Sequence, residues 1–333
     1  MPGLTPGHLS DLFVPLAGMR RVALAVSGGA DSLALLLLAE EWSKNSGVGL
    51  VVYSVDHGLR PEASAEVAMV LDAAQRLGLA ARGFRWAGPR PETGVQAAAR
   101  AARYRLMADA MAEDGAEVLL TAHHLGDQAE TVLMRLAHGS GIEGLRGMDR
   151  MAEVEGCRIM RPLLDTDPAD LEEIVAEAGL TPVRDPSNGD RHYERVRWRQ
   201  LLPQLEELGL DLRRIGTFAR RMGDADAAIA ADADVAFARL VHVGPDGDAE
   251  IPRAGLTALP RIVGVRVLSR ALRQVGGDRR PYGLGAVESL RDRLAEGDGR
   301  AATLHGCVIA SDGIAITLRR EGARSVQSAL TGD

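Results

Sequence analysis

The run VALAVSGGADSLALLLLAE, Val22 to Glu40, constrains the chain more than any other stretch, because a strand, a glycine turn and a helix start follow one another in it. Val22 to Val26 is short, apolar and without alternation, which predicts a strand covered on both faces of a parallel sheet. Ser27-Gly28-Gly29 lets the backbone turn sharply and approach a ligand, and Asp31-Ser32 stands where a helix begins. A helix N-terminus reached through glycines offers unpaired N–H groups and a positive dipole end, so the predicted ligand is a nucleotide phosphate. Two common phosphate loops are excluded. The only lysine, Lys44, lies beyond the helix, so there is no Walker lysine, and Gly28 and Gly29 do not make a GxGxxG fingerprint.

What remains resembles the SGGxDS signature of the PP-loop ATP pyrophosphatases, which split ATP between the α and β phosphates. That resemblance implies an ATP cradle of Ser27, Gly28, Gly29, Ala30, Asp31 and Ser32. An ordinary βα turn accounts for the glycines, but not for the acid and both serines together.

At 333 residues the chain is long for one core, and two domains are expected. The longest apolar run, Leu33 to Ala39, is too short to cross a bilayer, and the N-terminus lacks the basic-then-apolar order of a secretion signal, so a cytoplasmic protein without a membrane partner is expected. Cys157 and Cys307 form no CxxC pair, which argues against a disulfide framework, a zinc site or an iron–sulfur cluster. The net charge of -7 speaks against a nucleic-acid partner until patches are considered. Arg261, Arg266, Arg270, Arg273, Arg279 and Arg280 face one acid, Asp278, and a second cluster of Arg191, Arg195, Arg197 and Arg199 surrounds His192, Tyr193 and Trp198. Each is open to two readings, a polyanion contact or a solvated helix face with i,i+4 pairs.

Strands are predicted at 22–26, 50–56, 81–86 and 118–122, alternating with helices at 62–77 and 95–113 after the first one. This pattern implies a doubly wound parallel α/β sheet with right-handed crossovers. Ligands bind outside the carboxyl ends of such strands, where Ser27 to Ser32, Asp56 to Arg60 and His123 to Glu130 converge. Later helices are expected at 168–178, 193–207, 212–240, 259–275 and 284–295, with a hairpin of 302–310 and 314–318 turning at Ser311-Asp312-Gly313. The expected division is a catalytic domain at 1–215, a small helical or α+β domain at 216–325 and a frayed tail at 326–333.

His123, Asp127, Glu130 and Thr131 recur at spacings of three and four, which predicts one helix face carrying an imidazole and two carboxylates. Such acids hold Mg²⁺ beside a triphosphate or seat an incoming ammonium, and a zinc site lacks a third ligand of matching spacing. His124 reads as a packing or hydrogen-bonded histidine.

The segments VDHGLRPEA, ARAARY, TAHHLGDQAET, GSGIEGLRGM, RPLL and DPSNGDRHYERVRWR follow in the order seen in tRNA(Ile)-lysidine synthases. The resemblance implies a ligase that uses ATP to adenylate C2 of the wobble cytidine in the CAU anticodon of tRNA(Ile). Free L-lysine then attacks through its side-chain amine, giving lysidine, AMP and pyrophosphate. Asp56 and His57 join the ATP contacts on this reading, and Asp31 and Asp127 hold Mg²⁺. Asp127 and Glu130 seat the lysine amine and take its proton, and Arg103 or Arg100 holds the α-phosphate or the amino-acid carboxylate. Asn188, Arg195 and Arg197 face the tRNA near the cytidine, and the second domain grips it elsewhere. Two positions depart from the family pattern: Gly126 stands where HHxDDQxET has its first acid, and Arg195-Val196-Arg197-Trp198-Arg199 stands for RNRIR. The rival readings are a tRNA 2-thiolase, disfavoured by the isolated cysteines, and a nucleotide-binding regulator weakened by Gly126.

Overall fold

The computed structural model describes residues 6–58, 61–88, 94–183, 189–277, 283–297 and 299–321. The chain forms two compact units, Met1–Gly139 with Gly144–Arg220, and Ser140–Glu143 with Arg221–Asp333. In chain order the elements are α1 (Pro6–Phe13), β1 (Arg21–Ala25), α2 (Ala30–Ser46), β2 (Gly49–Asp56), α3 (Ala63–Arg76), β3 (Ala80–Arg85), α4 (Val95–Asp114), β4 (Leu119–Leu120), α5 (Leu125–Ala137), α6 (Ile142–Leu145), β5 (Met151–Val154), β6 (Cys157–Met160), α7 (Pro168–Glu177), α8 (Glu194–Glu207) and α9 (Leu212–Leu240). They continue as β7 (His242–Val243), β8 (Ala249–Pro252), α10 (Arg253–Thr257), α11 (Arg261–Gly276), α12 (Leu284–Glu296), β9 (Ala302–Leu304), β10 (Cys307–Ser311) and β11 (Ala315–Arg320).

The first unit is the doubly wound sheet expected, ordered β3-β2-β1-β4-β6-β5 and parallel except for β5. Chain order reverses beside β1, since the path runs outward through β2 and β3 and then returns to β4 on the other side. Such a switch point leaves a crevice at the carboxyl ends of the two diverging strands, here β1 and β4. Both faces of the sheet are covered: Val22, Leu24 and Val52 bury against α2 and α7, while Ala23, Tyr53 and Leu119 bury against Tyr104 and Met107 of α4. The Tyr53 hydroxyl donates to Asp114 Oδ2 at 2.7 Å, giving the ring's one polar atom a partner at the end of α4.

The β5–β6 hairpin escapes the sequence reading because its strands are four residues long and its turn, Glu155-Gly156, lacks the Asn-Gly or Asp-Gly signal. Both turn residues nevertheless adopt positive φ, 51° and 73°. The same cause corrects the second unit. The strand expected over 302–310 is broken at His305-Gly306, φ 52° and 66°, so β9, β10 and β11 are three strands of a five-stranded antiparallel sheet ordered β7-β8-β11-β10-β9.

The basic run at 261–280 resolves toward pairing. Arg261 reaches Asp292 at 2.8 Å, Arg270 reaches Asp234 at 2.5 Å, and Arg266 pairs with the buried Asp226. These acids come from other helices, not from i,i+4 neighbours, so three of the six guanidiniums are matched inside the unit. Asp278, Arg279 and Arg280, like the tail 326–333, lie outside the described residues. No helix among the described residues is long and apolar enough to cross a membrane.

Candidate active site

The glycine turn is built by its own hydroxyls. Ser27 N–H donates to Ser32 Oγ at 3.2 Å, and Ser32 Oγ donates to the Gly29 carbonyl at 2.9 Å, closing the loop onto the first turn of α2. No side chain caps α2, whose N-cap Gly29 is extended, so the leading N–H groups point into the crevice without intrahelical partners. Gly28 has φ 87°, and a Cβ there would stand 2.9 Å from Met69 Cε and 3.2 Å from Val183 Cγ2. Its carbonyl accepts the Val183 N–H at 2.9 Å, so the segment after α7 straps the loop from behind. Gly28→Ala is therefore expected to cost about 1–3 kcal/mol, read as a lower denaturant midpoint at unchanged slope.

Two cavities meet at this loop. One, of about 450 Å³, is lined by Ser27, Gly29, Asp31 and Ser32 from the turn, His57, Arg100 and Arg103, and His123, Asp127 and Arg195. The other, of about 760 Å³, is lined by Ala30, Glu130, Glu172 and an apolar wall that includes Val175, Leu180 and Leu202. Gly29, Asp31 and Arg199 border both, so Asp31 and Glu130 share one cavity on the same side of the sheet.

The smaller cavity is basic on its far wall. Arg103 is half-buried there, with its enclosed Nε lacking a hydrogen-bond partner. Burial pushes its pKa down, with Arg100 adding to the shift and Tyr104 opposing it. A guanidinium whose enclosed N–H is idle fits an anion. Burial also lowers the pKa of His123, helped by Arg161, Arg100 and Arg195 against Asp127, to about 4, so the ring is neutral at pH 7. Its Nδ1 lies 2.9 Å from Thr121 Oγ1.

The helix face expected from 123 to 131 is shorter than predicted. α5 begins at Leu125, so His123 sits in the strand exit and reaches the cavity from there. Thr131 turns back to the Asp127 carbonyl at 2.8 Å and leaves the site. Glu130, 1% exposed, accepts from Arg195 Nε at 2.8 Å and from Arg199 Nε at 2.6 Å. Arg195 also approaches Asp127 Oδ1 at 3.3 Å. Burial works against the charge on Asp127, but His124 and Arg195 outweigh it and hold the carboxyl below its usual range. Sequence reasoning placed Arg199 only in the basic cluster and missed its contact with Glu130; the signal was the i,i+4 spacing to Arg195 on α8, which puts both on one face.

Other expected residues stand apart. Asp56 is buried, with Oδ1 accepting the Gly58 N–H at 2.6 Å and Oδ2 the Ser64 hydroxyl at 2.8 Å, so it shapes the loop that carries His57 and does not line either cavity. Arg197 is exposed on the opposite side of α8 and donates to the carbonyls of Arg191 and His192. Asn188 lies outside the described residues.

The turn fits ATP: the idle helix N–H groups, two hydroxyls and the unpartnered Arg103 Nε face one cavity. Among the described residues no group of three or more His, Cys, Asp and Glu converges as a metal centre. Asp31 and Asp127 suit the other mode, in which Mg²⁺ takes one or two carboxylates and shares the phosphates.

The PP-loop domain family matches residues 7–205. The tRNA(Ile)-lysidine synthase of Methylobacterium nodulans is 43% identical over 310 residues, covering 91% of this chain and 91% of that protein. That of Rhodopseudomonas palustris is 44% identical over 296 residues, covering 87% and 84%. The chain belongs to the tRNA(Ile)-lysidine synthase family. A member of this family uses ATP, and the crevice between β1 and β4 is where this one has room for it. Among solved structures, the U34-tRNA thiolase NcsA from Methanococcus maripaludis, with its [4Fe-4S] cluster, superposes with a TM-score of 0.55 at 16% identity, covering 64% of this lysidine synthase relative and 77% of the thiolase. That likeness is one of fold. Both cysteines here are buried, Cys157 in the first unit and Cys307 in the second, so the thiolation reading is not favoured.

Proposed function

We propose that this protein ligates L-lysine to C2 of the wobble cytidine of tRNA(Ile) bearing a CAU anticodon, by way of an adenylated cytidine, releasing AMP and pyrophosphate in the cytoplasm. The observation that carries this reading is the shared border of the two cavities. Asp31 and Arg199 stand between the basic ATP-sized cavity and the larger, apolar-walled one that holds Glu130.

Ser27, Ser32 and the first N–H groups of α2 hydrogen-bond the departing pyrophosphate, and Arg103 meets the α-phosphate bidentately. Mg²⁺ held by Asp31 and Asp127 would neutralise charge on the phosphates. The lysine stem suits the wall of Val175, Leu180 and Leu202, with its amine directed at Glu130 and Asp127, one of which takes the proton as the C–N bond forms. Arg195 and Arg199 hold Glu130 aimed through a hydrogen bond to each oxygen, a positioning role in place of the tRNA contact expected for Arg195. Arg197, facing solvent, takes the tRNA backbone.

Incubating the purified protein with ATP, Mg²⁺, labelled lysine and tRNA(Ile) tests the reading. Lysine retained in the tRNA, with stoichiometric AMP, is the expected result; ATP binding with no lysine transferred sinks it. Arg197→Ala is expected to weaken tRNA binding alone and to lower the slope of log affinity against log salt by about one. An unchanged slope removes Arg197 from the interface.

A further inference from the structure

The imidazole of His124 lies over the α-carbon of Gly126. A Cβ at that position would stand 2.8 Å from the ring's Cε1 and 3.0 Å from Nδ1, so any side chain at 126 displaces the ring. The ring is buried and fixed by the helix it precedes. Nδ1 accepts the Gly126 N–H at 3.0 Å, and the His124 backbone N–H donates to Asp127 Oδ2 at 3.2 Å, a reciprocal cap on α5. With Nδ1 occupied as an acceptor, the ring's proton sits on Nε2. That nitrogen faces two carboxylates, Asp31 Oδ2 at 3.6 Å and Asp127 Oδ2 at 3.5 Å.

Asp31 belongs to the first turn of α2 and Asp127 to the first turn of α5, helices that start from the two strands on either side of the switch point. Two carboxylates beside one another repel, and the ring nitrogen lies between these two, 3.6 Å from one and 3.5 Å from the other. We propose that His124 is a positioning residue that sets the separation of Asp31 and Asp127, with its ring resting over Gly126.

Two near-isosteres separate capping from bridging. Asn carries Oδ1 where His carries Nδ1, so His124→Asn keeps the cap acceptor and loses the reach to the acids. Gln carries its terminal group near the place of Nε2, so His124→Gln keeps the reach and loses the cap. The full-length variants are compared by thermal melting without ligand, by equilibrium binding of ATP with Mg²⁺, and by lysine transfer to tRNA. The last rests on the ligase reading, whereas the first two do not, so a wild-type protein that transfers no lysine sinks that reading and leaves this test standing. His124→Asn is expected to melt with the wild type yet bind Mg²⁺-ATP on the order of tenfold to a hundredfold more weakly, because displaced carboxylates lose alignment. Gly126→Ala is expected to show the same loss. His124→Gln is expected to melt about 2–4 °C lower while keeping affinity within about threefold. Wild-type affinity in His124→Asn or in Gly126→Ala overturns the proposal, as does a His124→Gln variant that loses affinity as far as His124→Asn.

Discussion

Asp31→Ala is expected to lower AMP formation by about a hundredfold to a thousandfold while the protein melts almost where the wild type does. The asymmetry follows from where the carboxylate stands. Its side chain is 42% exposed, it borders both cavities, and the ion-pair contact the structure gives it is His124 Nε2 at 3.6 Å. Removing it therefore costs the fold little beyond its favourable place in the first turn of α2, about 0.3–1 kcal/mol for an acid at a helix N-terminus. Chemistry has more to lose, since no other carboxylate lines the glycine turn itself. Chromatographic quantitation of AMP beside a melting curve checks both halves. Turnover within a few-fold of wild type would take Asp31 out of the mechanism.

Glu130→Gln has the opposite profile, with stability and lysine use falling together. Both oxygens of the buried carboxylate accept from guanidiniums, and an amide keeps one acceptor while presenting an N–H to the other arginine. The expected loss is about 2–3 kcal/mol, below the 3–5 kcal/mol of a fully enclosed pair because Arg195 and Arg199 remain 40% and 45% exposed. The KM for lysine is expected to rise on the order of a hundredfold, with tRNA affinity within about threefold, since Arg197 is on the other side of α8. Equal losses in lysine use and tRNA affinity would make Glu130 a structural anchor alone.

Much of the site was legible in the chain because its signals are local. Three features lie within ten residues of Val22: an unalternating β-branched strand, a glycine pair and a helix-starting acid. Each is dictated by backbone sterics and by the idle N–H groups of a helix end. The alternation of strands and helices then implies a parallel sheet, and with it the edge where ligands gather. The arginines of α11 were illegible for the converse reason. Their sequence neighbourhood is basic, yet Asp226, Asp234 and Asp292 come from helices 31 to 40 residues away. Charge matching across such distances has no periodicity to read.

His124 and Gly126 show the same divide at closer range. A histidine before a helix and a glycine at its second position look, in the chain, like a packing residue and a missing ligand. Only the folded geometry shows that the ring occupies the volume over the glycine and turns a nitrogen toward Asp31, an acid on a helix 93 residues earlier in the chain. Glu130 is similar: its spacing from Asp127 put it on the right face, but its burial beneath Arg195 and Arg199 depends on α8 packing across α5.

What the amino-acid sequence determined by itself was the class of fold, the glycine turn at the start of α2 and the family, because these rest on short-range backbone preferences and on motifs in a fixed order. What tertiary structure decided was which charged groups face substrate and which face each other. That choice is made by burial and by contacts between segments far apart in the chain, where a carboxylate's role depends on the cation that packing brings to it.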